Sequence, residues 1–200
     1  MPKIASVPYA PGQSYDFYDN KLVIGADEIA YSDIEGYGFL LTHRKQSVYF
    51  VPVANSTRFT FLLDLGEDGI YKFGSNSAGV SAFRTNKQRT MDTVYSETVK
   101  CINALITPVV LKKMLNTLNE DGEVKVGKLI IRPDELVKKT TFSSKEIPLS
   151  KYSAYKFAQG RVNLYQKDKK VAFYSDMLST INAPLLPTFL AHLLKMQTTK

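Results

Sequence analysis

Side chains able to do covalent or acid–base chemistry are few in this chain, and they are scattered. A nucleophile needs a base within hydrogen-bond reach. The only histidines are His43, in the polar stretch 42–46, and His192, between Ala191 and Leu193. Both read as structural or solvated. The lone Cys101 reads as a small packing residue rather than a reactive thiol. It leaves no internal disulfide and fits a reducing compartment. Structural zinc needs about four clustered Cys or His ligands, more than the chain holds in total, so neither a metal nor a cofactor is expected. The carboxylate pairs Asp27-Glu28 and Asp134-Glu135 could serve acid–base chemistry or calcium. Their recurrence after similar apolar runs favours a turn-forming role instead. Gly74–Gly79 has the spacing of a phosphate loop, but Val80 and Ser81 stand where Lys and Ser/Thr are required. A flexible loop is expected there. Asn55-Ser56-Thr57 fits a glycosylation pattern that matters only in a secreted chain. The expectation is a protein that is not an enzyme.

Binding chemistry is better represented. The net charge of +7 is uneven: residues 1–100 hold 10 Lys+Arg against 11 Asp+Glu, and residues 101–200 hold 16 against 8. A basic half attracts phosphate, acidic lipid or nucleic acid over a Debye length of roughly 8 to 10 Å. Arg132, Lys138, Lys139, Lys145 and Lys156 are the candidate anion-binding residues. Nucleic acid is an unlikely partner, because the basic half is nearly all lysine, with only Arg132 and Arg161, and lacks the arginine–aromatic grooves of nucleic-acid proteins. A second candidate is the polar segment 74–100, where Arg84, Lys87 and Arg89 precede a short helix expected over Met91–Val99; long insertions on rigid scaffolds often carry binding.

The elements that position these residues follow from an internal repeat. Lys21-Leu-Val-Ile-Gly-Ala-Asp-Glu-Ile29 resembles Lys128-Leu-Ile-Ile-Arg-Pro-Asp-Glu-Leu136, Arg58–Phe61 resembles Arg161–Leu164, and Ile102-Asn-Ala104 recurs as Ile181-Asn-Ala183, followed by Pro108 and Pro187. The blocks keep their order while their offsets shrink, which places the excess length of the first copy in Gly74–Lys100. Phe59, Phe61 and Leu63 alternate with polar residues at the two-residue period of a half-buried strand. The 65–69 turn then leads to Ile70–Phe73 as a hairpin. Strands are also expected at 37–41, 48–53 and 152–157. Leu111, Met114, Leu115 and Leu118 form one helical stripe, repeated by Leu190, Leu193 and Leu194, with each helix starting near its proline.

Two hundred residues with 44% apolar and 22% charged composition suit a globular chain, able to bury roughly 70% of its unfolded surface. The longest apolar run, Ala104–Leu111, falls far short of the roughly 20 residues of a membrane span. No transmembrane segment is therefore expected, and the location reads as cytoplasmic, with a peripheral membrane position as the variant.

Strands first, helix last, twice over: this layout resembles the pleckstrin-homology-like superfold, in particular the tandem PH-like domains of bacterial proteins of unknown function. The resemblance rests on the order of elements and on the block that opens Lys-Leu-(Val/Ile)-Ile and closes Asp-Glu-(Ile/Leu). It implies an α+β, mostly β fold of two partly open antiparallel barrels, each ending in a helix. The expected division is an extended tail over 1–13, a first repeat over 14–119 with its insertion at 74–100, a linker at 120–122 and a second repeat over 123–200. Such domains bind proteins, peptides, acidic lipids or inositol phosphates. The basic signature of the lipid binders is missing after the first strand of copy one, where Asp27, Glu28, Asp33 and Glu35 stand. The expected function is a non-catalytic binding or scaffolding module for another protein. The alternative is binding of anionic lipid head groups or phosphorylated ligands through the basic second repeat.

Overall fold

A computed structural model describes residues 2–48, 51–79, 86–141 and 143–198. The chain is α+β and mostly β, with antiparallel strand pairing throughout the described register. It forms two compact units, one of residues 1–35 and 40–109, the other of 36–39 and 110–200. Two four-stranded and two three-stranded sheets are seen, and among the described residues none closes into the expected barrel.

In the first unit β1 (Lys3–Ala10), β2 (Gln13–Tyr18), β3 (Lys21–Ile24) and β4 (Asp27–Ala30) form a meander in that order. The N-terminal stretch read as a tail is thus a paired strand. Pro8 lies on an edge strand beside an irregularity of register between Pro8 and Ala10, the kind of place where a sheet tolerates a residue without an N–H. A 3-10 turn at Tyr31–Asp33 leads to β5 (Gly36–Val48), β6 (Val51–Asp64) and β7 (Ile70–Gly79). Gly74–Gly79, expected as a loop, belongs to β7. Gly74 is required there, since a Cβ would collide with the Phe59 carbonyl of β6. The alternation of β6 is confirmed, with Phe59, Phe61 and Leu63 all buried. The core is aromatic: Phe61 stacks on Phe73 at 5.1 Å, and Tyr15 meets the edge of Phe73 at 5.1 Å.

Helix α1 (Asn86–Cys101) is longer than the short helix expected, and it packs on β7, β1 and β6. It runs through a π-helical turn, Ile102–Ile106, into α2 (Thr107–Asp121). No new helix starts at Pro108. A proline inside an α-helix lacks its N–H and strikes the carbonyl four residues back, and the widened π turn just before it relieves that conflict. On α2 the buried residues are Val110, Met114 and Leu118, while Leu111 and Leu115 of the expected stripe are half-buried. Gly122 ends the helix as expected, at φ 75° with its N–H on the Leu118 carbonyl at 3.0 Å.

The second unit repeats the order of elements. Strands β8 (Val124–Val126), β9 (Leu129–Ile131), β10 (Glu135–Lys139) and β11 (Ser144–Pro148) form a meander, followed by a 3-10 turn at Leu149–Lys151. Then come β12 (Tyr152–Ala158), β13 (Arg161–Gln166), β14 (Tyr174–Met177) and helix α3 (Leu186–Thr198). The registers also recur. Phe17 faces Leu22 and Leu22 faces Ile29 in one meander, as Ile131 faces Leu136 and Leu136 faces Ile147 in the other. The Tyr31 amide donates to the Asn20 carbonyl at 2.9 Å, and the Leu149 amide to the Asp134 carbonyl at 2.8 Å. By this register β3 corresponds to β10, not to β9 as the Lys21–Ile29 block had it. Asp27-Glu28 opens a strand, and only Asp134 lies in a turn.

Candidate functional site

Acid–base chemistry finds no assembled machinery among the described residues. No cluster of His, Cys, Asp and Glu is placed to hold a metal. Cys101 is half-buried, and burial pushes its thiol up, away from the reactive thiolate. His192 is exposed on α3, and the side chain of His43 lies outside the described residues. The titratable groups most displaced from their ordinary values are tyrosines. Burial raises Tyr15 well above the usual range, and burial with a hydrogen bond to Asp176 does the same for Tyr174. The Tyr174 hydroxyl lies 2.6 Å from Asp176, which also accepts from the Thr180 hydroxyl at 2.9 Å. This is a packed polar network that ties β14 to the loop after it. One cavity of about 400 Å³, lined by Tyr9, Arg58, Thr60, Lys72, Gly74 and Asn76, and another of about 530 Å³, lined by Leu118, Asp134, Ser150, Leu193, Met196 and Gln197, bring no nucleophile to a histidine.

The basic candidates of the second unit are spread over two sheets. Arg132 holds Glu135 at 2.6 Å and Glu123 at 3.4 Å, so its guanidinium is already matched by two carboxylates. The Lys138 ammonium donates to the Phe173 carbonyl at 3.0 Å. Lys139 and Lys145 are exposed on the β10–β11 hairpin, and Lys156 lies on β12 in the other sheet. Arg84 lies outside the described residues; Lys87 and Arg89 fall on α1, with side chains that are also outside them.

The strongest surface feature is one that sequence reasoning missed. Five consecutive residues of β12, Ser153 to Phe157, are exposed, and β12 is the edge of its sheet. Tyr155 is 51% exposed and Phe157 48%, their rings edge to face at 5.4 Å. Gln159 and Gly160, at φ 53° and 70°, form the two-residue turn into β13. A turn of that length makes Ala158 and Arg161 a hydrogen-bonded pair, and the pairs then alternate. Phe157 opposite Val162 and Tyr155 opposite Leu164 are therefore the non-bonded pairs. Their amides and carbonyls point away from β13, out of the sheet edge.

The same unit contains an equivalent edge that is occupied. Residues 28–39 and 146–157 share Glu-Ile, then Ser, then Tyr-x-Phe in one register, so Tyr37 and Phe39 correspond to Tyr155 and Phe157. Tyr37 is 1% exposed and Phe39 8%, with rings stacked at 5.3 Å. Their outward backbone groups are taken by the segment after β14. The Phe39 amide donates to the Leu178 carbonyl at 2.6 Å, the Asn182 amide donates to the Tyr37 carbonyl at 2.8 Å, and the Tyr37 amide donates to Asn182 Oδ1 at 3.2 Å. Asn182 sits at φ 64°, a left-handed conformation that asparagine tolerates better than most residues. The spaced identities were the signal that could have found this pair of edges.

Comparison of the chain with protein-family models and with curated proteins found no match. By length and composition, helix Thr90–Asp121 is long and apolar enough to cross a membrane, with mean hydropathy 1.2 and 28% of its most apolar window buried. No unbroken apolar run announces it, because lysines and asparagines punctuate the sequence. Its N-terminal half is committed to the sheets through Met91 and Val94.

Proposed function

We propose that this chain is a non-catalytic protein-interaction module built from two copies of one PH-like fold. Four strands, a 3-10 turn, three strands and a helix, in that order and twice over, support the family reading, and the recurring registers support the duplication. The observation that carries the interaction reading is the edge of β12, with an aromatic pair about half exposed and its backbone groups turned outward. Edge strands of this kind are ordinarily blunted or covered. Left open, they accept extended segments of other proteins. Binding of anionic head groups by the second repeat has less support, because Arg132 and Lys138 are engaged within the fold. A photo-crosslinking residue replacing Tyr155 in the full chain tests the reading. A discrete adduct with another protein is expected from that position and not from a crosslinker at Ile70, itself 44% exposed. No adduct, or the same adducts from both positions, overturns it.

A further inference from the structure

We propose that the open edge of β12 takes an extended, acidic segment of a partner protein by strand addition, along the outward amides and carbonyls of Tyr155 and Phe157. This rests on the interaction reading above and specifies its mode and its partner's chemistry. The mode follows from a contrast between the two edges. At the covered edge the amide and carbonyl of Tyr37 and the amide of Phe39 are met by a turn, Leu178–Asn182, that crosses over Gly36 and Gly38; β12 has side chains at those places and leaves room only for a segment lying alongside. The corresponding groups of Tyr155 and Phe157 point outward and meet no such turn, beside an aromatic pair at the same sequence spacing.

The partner's charge follows from what surrounds the open edge. Lys151 starts the region and Lys156 lies in the middle of β12, both exposed. The Lys167 amide bonds the Lys151 carbonyl at 2.9 Å, which brings the turn bearing Lys167, Lys169 and Lys170 to the same end. Asp168 is the one acid between residues 147 and 175. Two such edges brought together would oppose like charges, which disfavours a second copy of this chain as the occupant. A glycine-to-lysine difference adds the last element. Gly38 is needed at the covered edge, where a Cβ would lie 2.9 Å from the Ser179 carbonyl oxygen. Its counterpart is Lys156, whose side chain bars a segment from crossing over the strand but can meet a carboxylate of one lying alongside.

The test uses the isotope-labelled full chain and two synthetic peptides with a common Val-Thr-Val-Thr-Val core, which favours an extended strand, one flanked by glutamates and one by lysines. Saturable amide shifts are expected at residues 153–158, with slowed hydrogen exchange at Tyr155 and Phe157 on adding the acidic peptide. The basic peptide should bind about tenfold or more weakly. The same loss is expected for the acidic peptide with the Tyr155→Ala/Phe157→Ala variant, whose fold is checked by an unchanged spectrum of the other sheets. Shifts without slowed exchange at those two amides overturn strand addition, and equal affinity for both peptides overturns the acidic partner. A concentration-dependent dimer abolished by the double variant overturns the external partner in favour of a second copy. If neither peptide binds while the Tyr155 crosslink forms, the mode proposed here fails and the interaction reading stands. If both are lost, both fall.

Discussion

Tyr37–Phe39 and Tyr155–Phe157 are nearly the same sequence on the first strands of two three-stranded sheets, yet one pair is buried and the other is half exposed. Nothing in the dipeptide pattern decides which. The covered pair is buried by a segment more than a hundred residues away in sequence, anchored through Asn182 and admitted by the absence of side chains at Gly36 and Gly38. The open pair has Ala154 and Lys156 in those positions. An edge strand's fate thus depends less on its own aromatics than on whether its neighbours leave room for a cover.

The difference between the pairs should appear most strongly in their truncations. Tyr37→Ala should cost about 3–5 kcal/mol, as for other large buried aromatics, while Tyr155→Ala should cost less than about 1 kcal/mol. Urea unfolding of both variants measures this, and similar costs would break the comparison. Grafting one edge onto the other comes next. Gly38→Lys should destabilise by about 1–3 kcal/mol through overpacking against the Leu178 and Ser179 carbonyls, with faster amide exchange at Phe39 and Asn182. Lys156→Gly should be within about 1 kcal/mol of neutral, apart from the modest entropy cost of glycine in a strand. Asn182→Ala removes the acceptor for the Tyr37 amide and puts alanine at a left-handed φ, for a loss of about 1–3 kcal/mol. Asn182→Gly should recover the conformational part only, and full recovery would show that the side-chain bond contributes nothing.

The smallest effect belongs to the first sheet and serves as a control. Hydrogen bonds from Lys3 and Ser6 hold Asp16 down to about 2, against about 3.9 in an unfolded chain. Its stabilisation is therefore full above about pH 4 and is lost as the pH falls through 2. Asp16→Asn should flatten that part of the stability curve by less than about 1 kcal/mol, since Lys3 is solvent-screened, and should leave Tyr37–Phe39 exchange unchanged.

Much of the fold was legible. Strand β6 announced itself through Phe59, Phe61 and Leu63, and the 65–69 turn and Gly122 cap through their glycines, because these are local rules of period and backbone freedom. The alignment of the first repeat block failed because its apolar runs of similar composition can be slid past one another; only the pairing of Phe17 with Leu22 and Ile131 with Leu136 fixes it. Helix α1 was underestimated because its polar residues outweigh Met91, Val94 and Thr98, the three it buries among the described residues. The five basic candidates were chosen by charge, and charge does not reveal that Arg132 and Lys138 are spoken for. The open edge was invisible for a deeper reason: exposure at Tyr155 is set by what does not lie over it.

Along the long helix, from Val94 through Thr98, Ile102, Ile106, Val110 and Met114 to Leu118, the buried residues fall every fourth position. A step of four overshoots a 3.6-residue turn by about 40°, so this seam winds around the rod like a screw thread, and the wider turn at Ile102–Ile106 slows its advance. Within α2, each of Val110, Met114 and Leu118 therefore depends on the phase of the one before it. Losing one residue at Leu111 would swing Met114 and Leu118 by about 100° against Val110, so a deletion that most loops would absorb would here unseat side chains up to two turns away.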